Sequence, residues 1–81
     1  MKLSLNAIAQ IIEDNTNVCV NVKETWIDYG AKIKGQQIVI NGVDGERVQI
    51  LTPRELKEIE LGLYTIEQVQ SHIDKINEMY A

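Results

Sequence analysis

The stretch of sequence that decides the fold is QQIVINGVDGERVQIL, residues 36–51, and it is typical of a β-hairpin. A two-residue turn at 44–45 would oppose apolar and polar side chains on both faces. A three-residue loop at 43–45, with Gly45 in the left-handed conformation of a bulge, instead opposes β-branched residues. The pairs in that register are Ile40 with Val48 and Ile38 with Ile50. We predict this second register, which leaves four residues on the other face: Val39, Asn41, Arg47 and Gln49.

The segments before this hairpin are expected to extend its sheet. Residues 18–22 (VCVNV) alternate strictly and place three valines on one face, which predicts a half-buried strand. Lys23 and Glu24 are expected to turn the chain. Alternation resumes over residues 26–34 and predicts a longer strand, after which residues 34–36 turn into the hairpin. The result is a four-stranded antiparallel meander with one apolar and one largely polar face.

A first helix is predicted from Leu5 to Asp14, with Ser4 as its N-cap. Its apolar residues recur at three- and four-residue spacing and form one stripe: Leu5, Ile8, Ile11 and Ile12. Short polar residues at 14–17 then end the helix, because their side chains compete for backbone hydrogen bonds.

Two capping boxes are expected to open two C-terminal helices. Thr52 and Glu55 form the first, with Pro53 at the first helical position, and Gly62 is placed to end that helix in a left-handed conformation. The second box runs from Thr65 to Gln68. The core-facing residues predicted in the first helix are Leu56, Ile59 and Leu63 or Leu61. Those predicted in the final helix are Ile66, Val69, Ile73, Ile76 and Tyr80.

These elements predict a single α+β domain over residues 1–81, with an N-terminal helix, a four-stranded antiparallel sheet and two C-terminal helices on the sheet. The chain has 81 residues and only one Trp, three Tyr and no Phe, so its core must be built from Ile, Val and Leu. A core this thin makes self-association into a homo-oligomer an expectation.

Composition also narrows the function. The net charge of −4 and the lack of any basic run disfavour direct binding to nucleic acid, which needs clustered Lys and Arg. One cysteine excludes an internal disulfide framework, and no apolar stretch reaches the length of a signal peptide core or a membrane span. We therefore expect a cytoplasmic protein without membrane contact. The glycines form no phosphate-cradling array, so no cofactor is expected.

Candidates for catalysis or metal binding are weak. His72 is the only histidine, and its neighbours Ser71 and Asp74 cannot form a triad with it, because adjacent helical residues do not face one another. Cys19 lies on the strand face opposite Val18 and Val20. A small enzyme using His72 or Cys19 remains one hypothesis, but we predict no catalytic and no metal site.

The best candidate binding surface is the less apolar face of the sheet. The second predicted strand places four residues there: Trp26, Asp28, Lys32 and Lys34. Arg47 is expected to join them from the hairpin. Trp and Arg concentrate at interfaces, because each gives a large contact for little loss of entropy. The alternative is that a C-terminal helix covers Trp26.

The N-terminal quarter of the chain carries a recognisable pattern. The pattern is Leu5-x-x-Ile8-x-x-Ile11-Ile12-Glu13-Asp14-Asn15-Thr16-x-Val18-x-Val20. It resembles the start of many short proteins of phages and conjugative elements of Gram-positive bacteria, in which a helix ending in Asp-Asn-Thr enters an antiparallel sheet. The resemblance implies an accessory protein that inhibits or modulates host machinery, including immunity systems, by stoichiometric binding.

The C-terminal part shows a second resemblance. Its pattern is Leu56-x-x-Ile59-x-Leu61-Gly62-x-x-Thr65-x-Glu67-Gln68. This is similar to the helical-hairpin modules called SHOCT domains, although Gln68 replaces a glutamate and Val69 stands where an aromatic residue is usual. The resemblance implies an element for self-association or docking.

Two binding hypotheses follow from the sequence. In the first, the protein is a non-enzymatic module that binds a host protein through the face that carries Trp26 and Arg47. In the second, it is a small oligomer that sequesters a nucleotide-type signalling molecule, which requires a pocket with at least two cationic side chains.

Overall fold

In the computed structural model, which describes residues 3–42 and 45–80, one helix precedes an antiparallel sheet and two helices follow it. The elements are α1 (Leu5–Asp14), β1 (Cys19–Asp28), β2 (Lys32–Asn41), β3 (Arg47–Gln49), α2 (Pro53–Leu61) and α3 (Ile66–Met79). The predicted α+β class and the order of helices and sheet are confirmed. The predicted fourth strand is wrong, because the described residues form a three-stranded sheet in the order β1-β2-β3.

The helix boundaries follow the local signals in the sequence. Ser4 caps α1 by accepting a hydrogen bond from the Ala7 backbone N–H, as predicted. Both predicted capping boxes are present, at Thr52 and at Thr65. Gly62 ends α2 with φ 76°, the left-handed conformation expected of it.

The strands before β3 differ from the prediction because the chain turns at one place instead of two. β1 and β2 are each ten residues long and pair continuously from Cys19–Asn41 to Asp28–Lys32. The predicted turns at Lys23–Glu24 and at residues 34–36 therefore lie inside strands. The real turn is at 29–31, where Gly30 has φ 98° and its N–H donates to the Asp28 carboxylate at 2.9 Å. An aspartate that accepts from the backbone two residues ahead is a turn signal in its own right.

Gly35 serves close packing and does not form a turn. It pairs with Thr25, and a Cβ atom added at Gly35 would lie 3.1 Å from the Ile27 side chain. A glycine inside a strand often marks such a close approach.

The predicted register of the second hairpin is confirmed in the described residues. Ile40 pairs with Val48, and the Ile50 N–H donates to the Ile38 carbonyl at 3.0 Å. Gly45 has the expected left-handed φ of 76°, whereas residues 43 and 44 of the predicted loop lie outside the described residues.

The core lies between the sheet and the helices, and α1 packs against β1, β2 and α3. Its fully buried apolar side chains come from both layers: Ile8, Ile12, Ile38, Ile40 and Val69. Gln37 is the exception, a polar residue only 1% exposed. Its side chain accepts from the Ile38 and Leu51 N–H groups and donates to the Leu51 carbonyl. These bonds fix the chain where it leaves the sheet for α2.

Ile66 and the two alternatives Leu61 and Leu63, which were predicted to face the core, are on the surface. Leu61, Leu63 and Ile66, at the connection between α2 and α3, are between 54% and 64% exposed. No described part of the chain covers these three side chains, whereas Leu56, Ile59 and Val69 of the same two helices are buried. Among the described residues, none of the helices has the length and apolar character that crossing a bilayer requires.

Candidate binding site

The outer end of the β1–β2 hairpin brings together four of the five predicted binding residues. Trp26 pairs directly with Lys34, and Asp28 with Lys32. Paired residues and residues two apart along a strand share one face, so all four side chains lie on the same side. We call this set the hairpin face: Trp26, Asp28, Lys32 and Lys34.

Trp26 is available for contact. It is 59% exposed, so the alternative that a C-terminal helix covers it is wrong. The Lys34 ammonium lies 5.7 Å from the centroid of the Trp26 ring and 3.5 Å from the Glu24 carboxylate. This arrangement is a cation–π contact beside an exposed ion pair. The ring is thus held beside charged groups that a partner can reach.

Arg47 does not belong to the hairpin face. It pairs with Asn41, at the opposite end of β2 from Lys34, and on the other side of the sheet by the alternation of strand residues. The sequence pattern placed Arg47 with Trp26 because the second strand was predicted to run straight through residues 29–31. The turn there moves Trp26 and Lys34 away from β3.

A groove lies between the same hairpin end and α2, and Lys34 borders both this groove and the hairpin face. Its volume is about 890 Å³. We call it the α2 groove. Its apolar lining comes from the hairpin, from α1 and from α2: Ile27, Tyr29, Ile33, Leu5, Pro53, Leu56 and Ile59. Its charged lining is Lys34, Arg54, Lys57 and Glu60. Such a groove suits apolar side chains that are accompanied by negative charge.

A second polar cluster joins α2 to α3 through Glu55. One carboxylate oxygen of Glu55 lies 2.7 Å from His72 Nε2 and 3.2 Å from the Tyr64 hydroxyl. The other oxygen accepts from the Thr52 backbone and hydroxyl. The Glu55 and His72 side chains are only 16% and 15% exposed. Since a carboxylate can only accept, His72 Nε2 and the Tyr64 O–H act as donors.

The environment of this cluster changes two pKa values. Burial by itself raises the pKa of the Glu55 carboxyl. The hydrogen bonds from His72 and Thr52 and the charge of His72 lower this pKa by more than burial raises it. The pKa of Glu55 therefore lies below its ordinary value of 4.5. Burial, together with the negative charge of Glu55, raises the pKa of the Tyr64 phenol. Both pKa shifts favour an ionised Glu55 that accepts a hydrogen bond from a neutral Tyr64.

This cluster predicts a specific acid sensitivity. Because the pKa of Glu55 is lower in the folded protein than in the unfolded chain, its stabilisation is present above pH 4.5 and is lost as the pH falls through the folded-state pKa. We expect the free energy of unfolding, measured by urea denaturation, to fall less steeply below pH 4.5 in Glu55→Gln than in the wild type. Glu60→Gln, which removes an exposed carboxyl of the same helix, should keep the wild-type slope. Equal slopes in all three proteins would contradict the assignment.

Sequence reasoning missed most of these contacts. No spacing rule joins Glu55 to Tyr64 and His72, which are nine and 17 residues further along the chain. Cys19 lies exposed on β1, with Val18 and Val20 buried, as the alternation predicted. Across the described ranges, no three His, Cys, Asp or Glu side chains are grouped so that they could hold a metal ion.

Comparison with protein-family models, with curated proteins and with solved structures found no match to this chain. Function is therefore inferred from the side chains and surfaces described above.

Proposed function

We propose that this protein acts without catalysis by binding another protein stoichiometrically through the hairpin face. The observation that carries the proposal is the exposed Trp26, held by Lys34 at the end of a two-stranded hairpin. Trp is among the residues that contribute most to binding at protein interfaces. The N-terminal resemblance adds the setting: a phage-type accessory protein whose partner is a host factor, such as a component of bacterial immunity.

The shape of the hairpin supports this use. β3 pairs only with residues 39–41, so beyond Ile38 the hairpin consists of β1 and β2 alone. This end of the sheet presents Trp26 at the surface, where a cleft of a partner can receive it. Asp28 and Lys32 then supply one charge of each sign beside the ring, which favours one orientation of the partner over others.

The test is capture of a partner by the wild type and by Trp26→Ala. We expect Trp26→Ala to weaken binding by about 30-fold or more, because an interface residue of this kind contributes about 2 kcal/mol or more. Affinity capture from host cells would identify the partner, and calorimetry with the purified pair would measure the dissociation constant. The thermal melt of the variant should match that of the wild type, since Trp26 is mostly exposed.

Arg47→Ala is the matched control. Arg47 is also an exposed strand residue, but it lies at the far end of the sheet, so its replacement should leave the affinity unchanged. Equal affinity of Trp26→Ala and the wild type would refute the proposal. If Arg47→Ala lost as much affinity as Trp26→Ala, the partner would not bind through the hairpin face alone.

The alternative function, sequestration of a nucleotide-type molecule, has one observation in its favour. The α2 groove combines Tyr29, which can stack on a base, with the cations Arg54 and Lys57. Its floor is mainly apolar, however, which suits aliphatic side chains better than the polar edge of a base. A nucleotide at 100 times its dissociation constant should stabilise the protein by about 2.7 kcal/mol, so a thermal-shift panel of nucleotides tests this function directly.

A further inference from the structure

We propose that the α2 groove of one copy of this chain receives the connection between α2 and α3 of a second copy. We call that connection the helical tip and define it by Leu61, Leu63 and Ile66. Copies would then associate head to tail. This inference goes beyond the proposed function, because neither surface includes Trp26.

The helical tip is an apolar surface that no described part of its own chain covers. Three large aliphatic side chains within six residues are each more than half exposed. Single exposed aliphatic residues are ordinary, but a cluster bordered by charged residues is typical of an interaction site. None of the three lines the α2 groove of the same described chain, so the groove is left open to another molecule.

Charge complementarity selects a second copy as the occupant. Exposed glutamates flank the tip on both sides, Glu60 before Leu61 and Glu67 after Ile66. The α2 side of the groove carries Arg54 and Lys57, and no carboxylate of a described residue lies within 4.0 Å of either cation. Glu60 also lines the groove and so belongs to both surfaces, but the three cations of the lining, Lys34, Arg54 and Lys57, leave the groove with a positive balance. An apolar tip with acidic flanks thus matches an apolar groove whose lining is mainly cationic.

The two surfaces differ, so the contact is heterologous. Such contacts extend into rings or open chains, in contrast to the closed dimer that a self-complementary patch forms. A groove variant keeps a working tip, and a tip variant keeps a working groove. A mixture of the two variants therefore retains one productive contact and should stop at a complex with one copy of each.

The experiment uses the full chain with Ile33→Asp as the groove variant and Leu63→Asp as the tip variant. Both positions are exposed, so the folded state should tolerate the change, and circular dichroism checks this. The masses of the species are measured by native mass spectrometry and by light scattering, from about 1 μM to about 1 mM, the range of weak to moderate dissociation constants. Met79→Asp, another exposed apolar position, is the control.

We expect the wild type and Met79→Asp to form concentration-dependent oligomers. Each of the other variants alone should associate more than about tenfold more weakly. Their equimolar mixture should give a one-to-one complex. A wild type that stays monomeric over the whole range, or a mixture without the complex, would overturn the proposal.

A second pair of variants guards against loss of folding. Lys57→Glu replaces Ile33→Asp in the groove, and Ile66→Asp replaces Leu63→Asp at the tip; both positions are exposed. Each of these variants alone should again associate weakly, and their equimolar mixture should again form a one-to-one complex. A nucleotide that binds the wild type but not Lys57→Glu, with no oligomer formed, would assign the groove to a small anion and also overturn the proposal.

Discussion

Replacing Ile8 by alanine is expected to lower the free energy of unfolding by about 2–5 kcal/mol. Ile8 is fully buried on α1, in the apolar cluster that α1 forms with the sheet and α3. Truncation removes apolar burial and leaves a cavity that the neighbouring side chains fill only in part. A chain of 81 residues has a total stability of about 4–12 kcal/mol, so this single change removes a large fraction of it.

Ile11→Ala is the matched variant for this prediction. It makes the same chemical change on the same helix, so the effect on helix propensity is identical. Ile11 is only partly buried and packs at the edge of the core, so we expect a clearly smaller loss. Urea denaturation followed by circular dichroism measures both variants. Equal losses would mean that α1 packs through a different side.

Gln37→Ala is expected to cost about 2–4 kcal/mol, because it leaves buried backbone groups without a partner. The Gln37 side chain bonds to the Ile38 N–H at 3.0 Å and to the Leu51 N–H and carbonyl at 3.2 and 2.8 Å. It holds the end of the β3 segment against β2 at the point where α2 is about to begin. Without it, we expect the segment that leads into α2 to loosen first, which hydrogen exchange of the Leu51 amide would detect.

Two further variants separate the effect of the lost hydrogen bonds from that of lost packing. Gln36→Ala changes the exposed neighbour in the same strand and should alter stability by no more than about 0.5 kcal/mol. Gln37→Met keeps the volume but removes the hydrogen bonds. If the bonds stabilise this site, Gln37→Met should remain nearly as unstable as Gln37→Ala. Recovery of wild-type stability in Gln37→Met would show that packing alone is responsible.

The helices were the most predictable part of this fold. α1 has the predicted bounds, both capping boxes are present, and Gly62 ends α2 as expected. Each of these features depends on residues within one or two helical turns, where capping and periodicity act directly. The register of the second hairpin was also predictable, since a shift of one residue would turn Ile38 and Ile40 away from the core.

The first hairpin was less predictable because two glycines competed for its turn. Gly35 sits between two alternating segments and suggested a turn, whereas Gly30 looked like a strand residue. The structure reverses these roles: Ile27 of the paired strand lies against Gly35, and a local hydrogen bond to the Asp28 carboxylate holds the turn at Gly30. That difference decides the candidate site, because it pairs Trp26 with Lys34 and leaves Arg47 elsewhere.

By itself, the sequence determined where the helices begin and end and which strand residues face inward near the second hairpin, because neighbours in the chain decide those features. Only the tertiary structure decided which distant side chains meet. Gln37 is buried because Leu51 passes over it, and Glu55 is held by Tyr64 and His72 because α3 folds back on α2. Leu61 and Leu63 are exposed because no described part of the chain packs over the connection between α2 and α3. Such contacts depend on the relative placement of whole elements, which no local pattern of residues specifies.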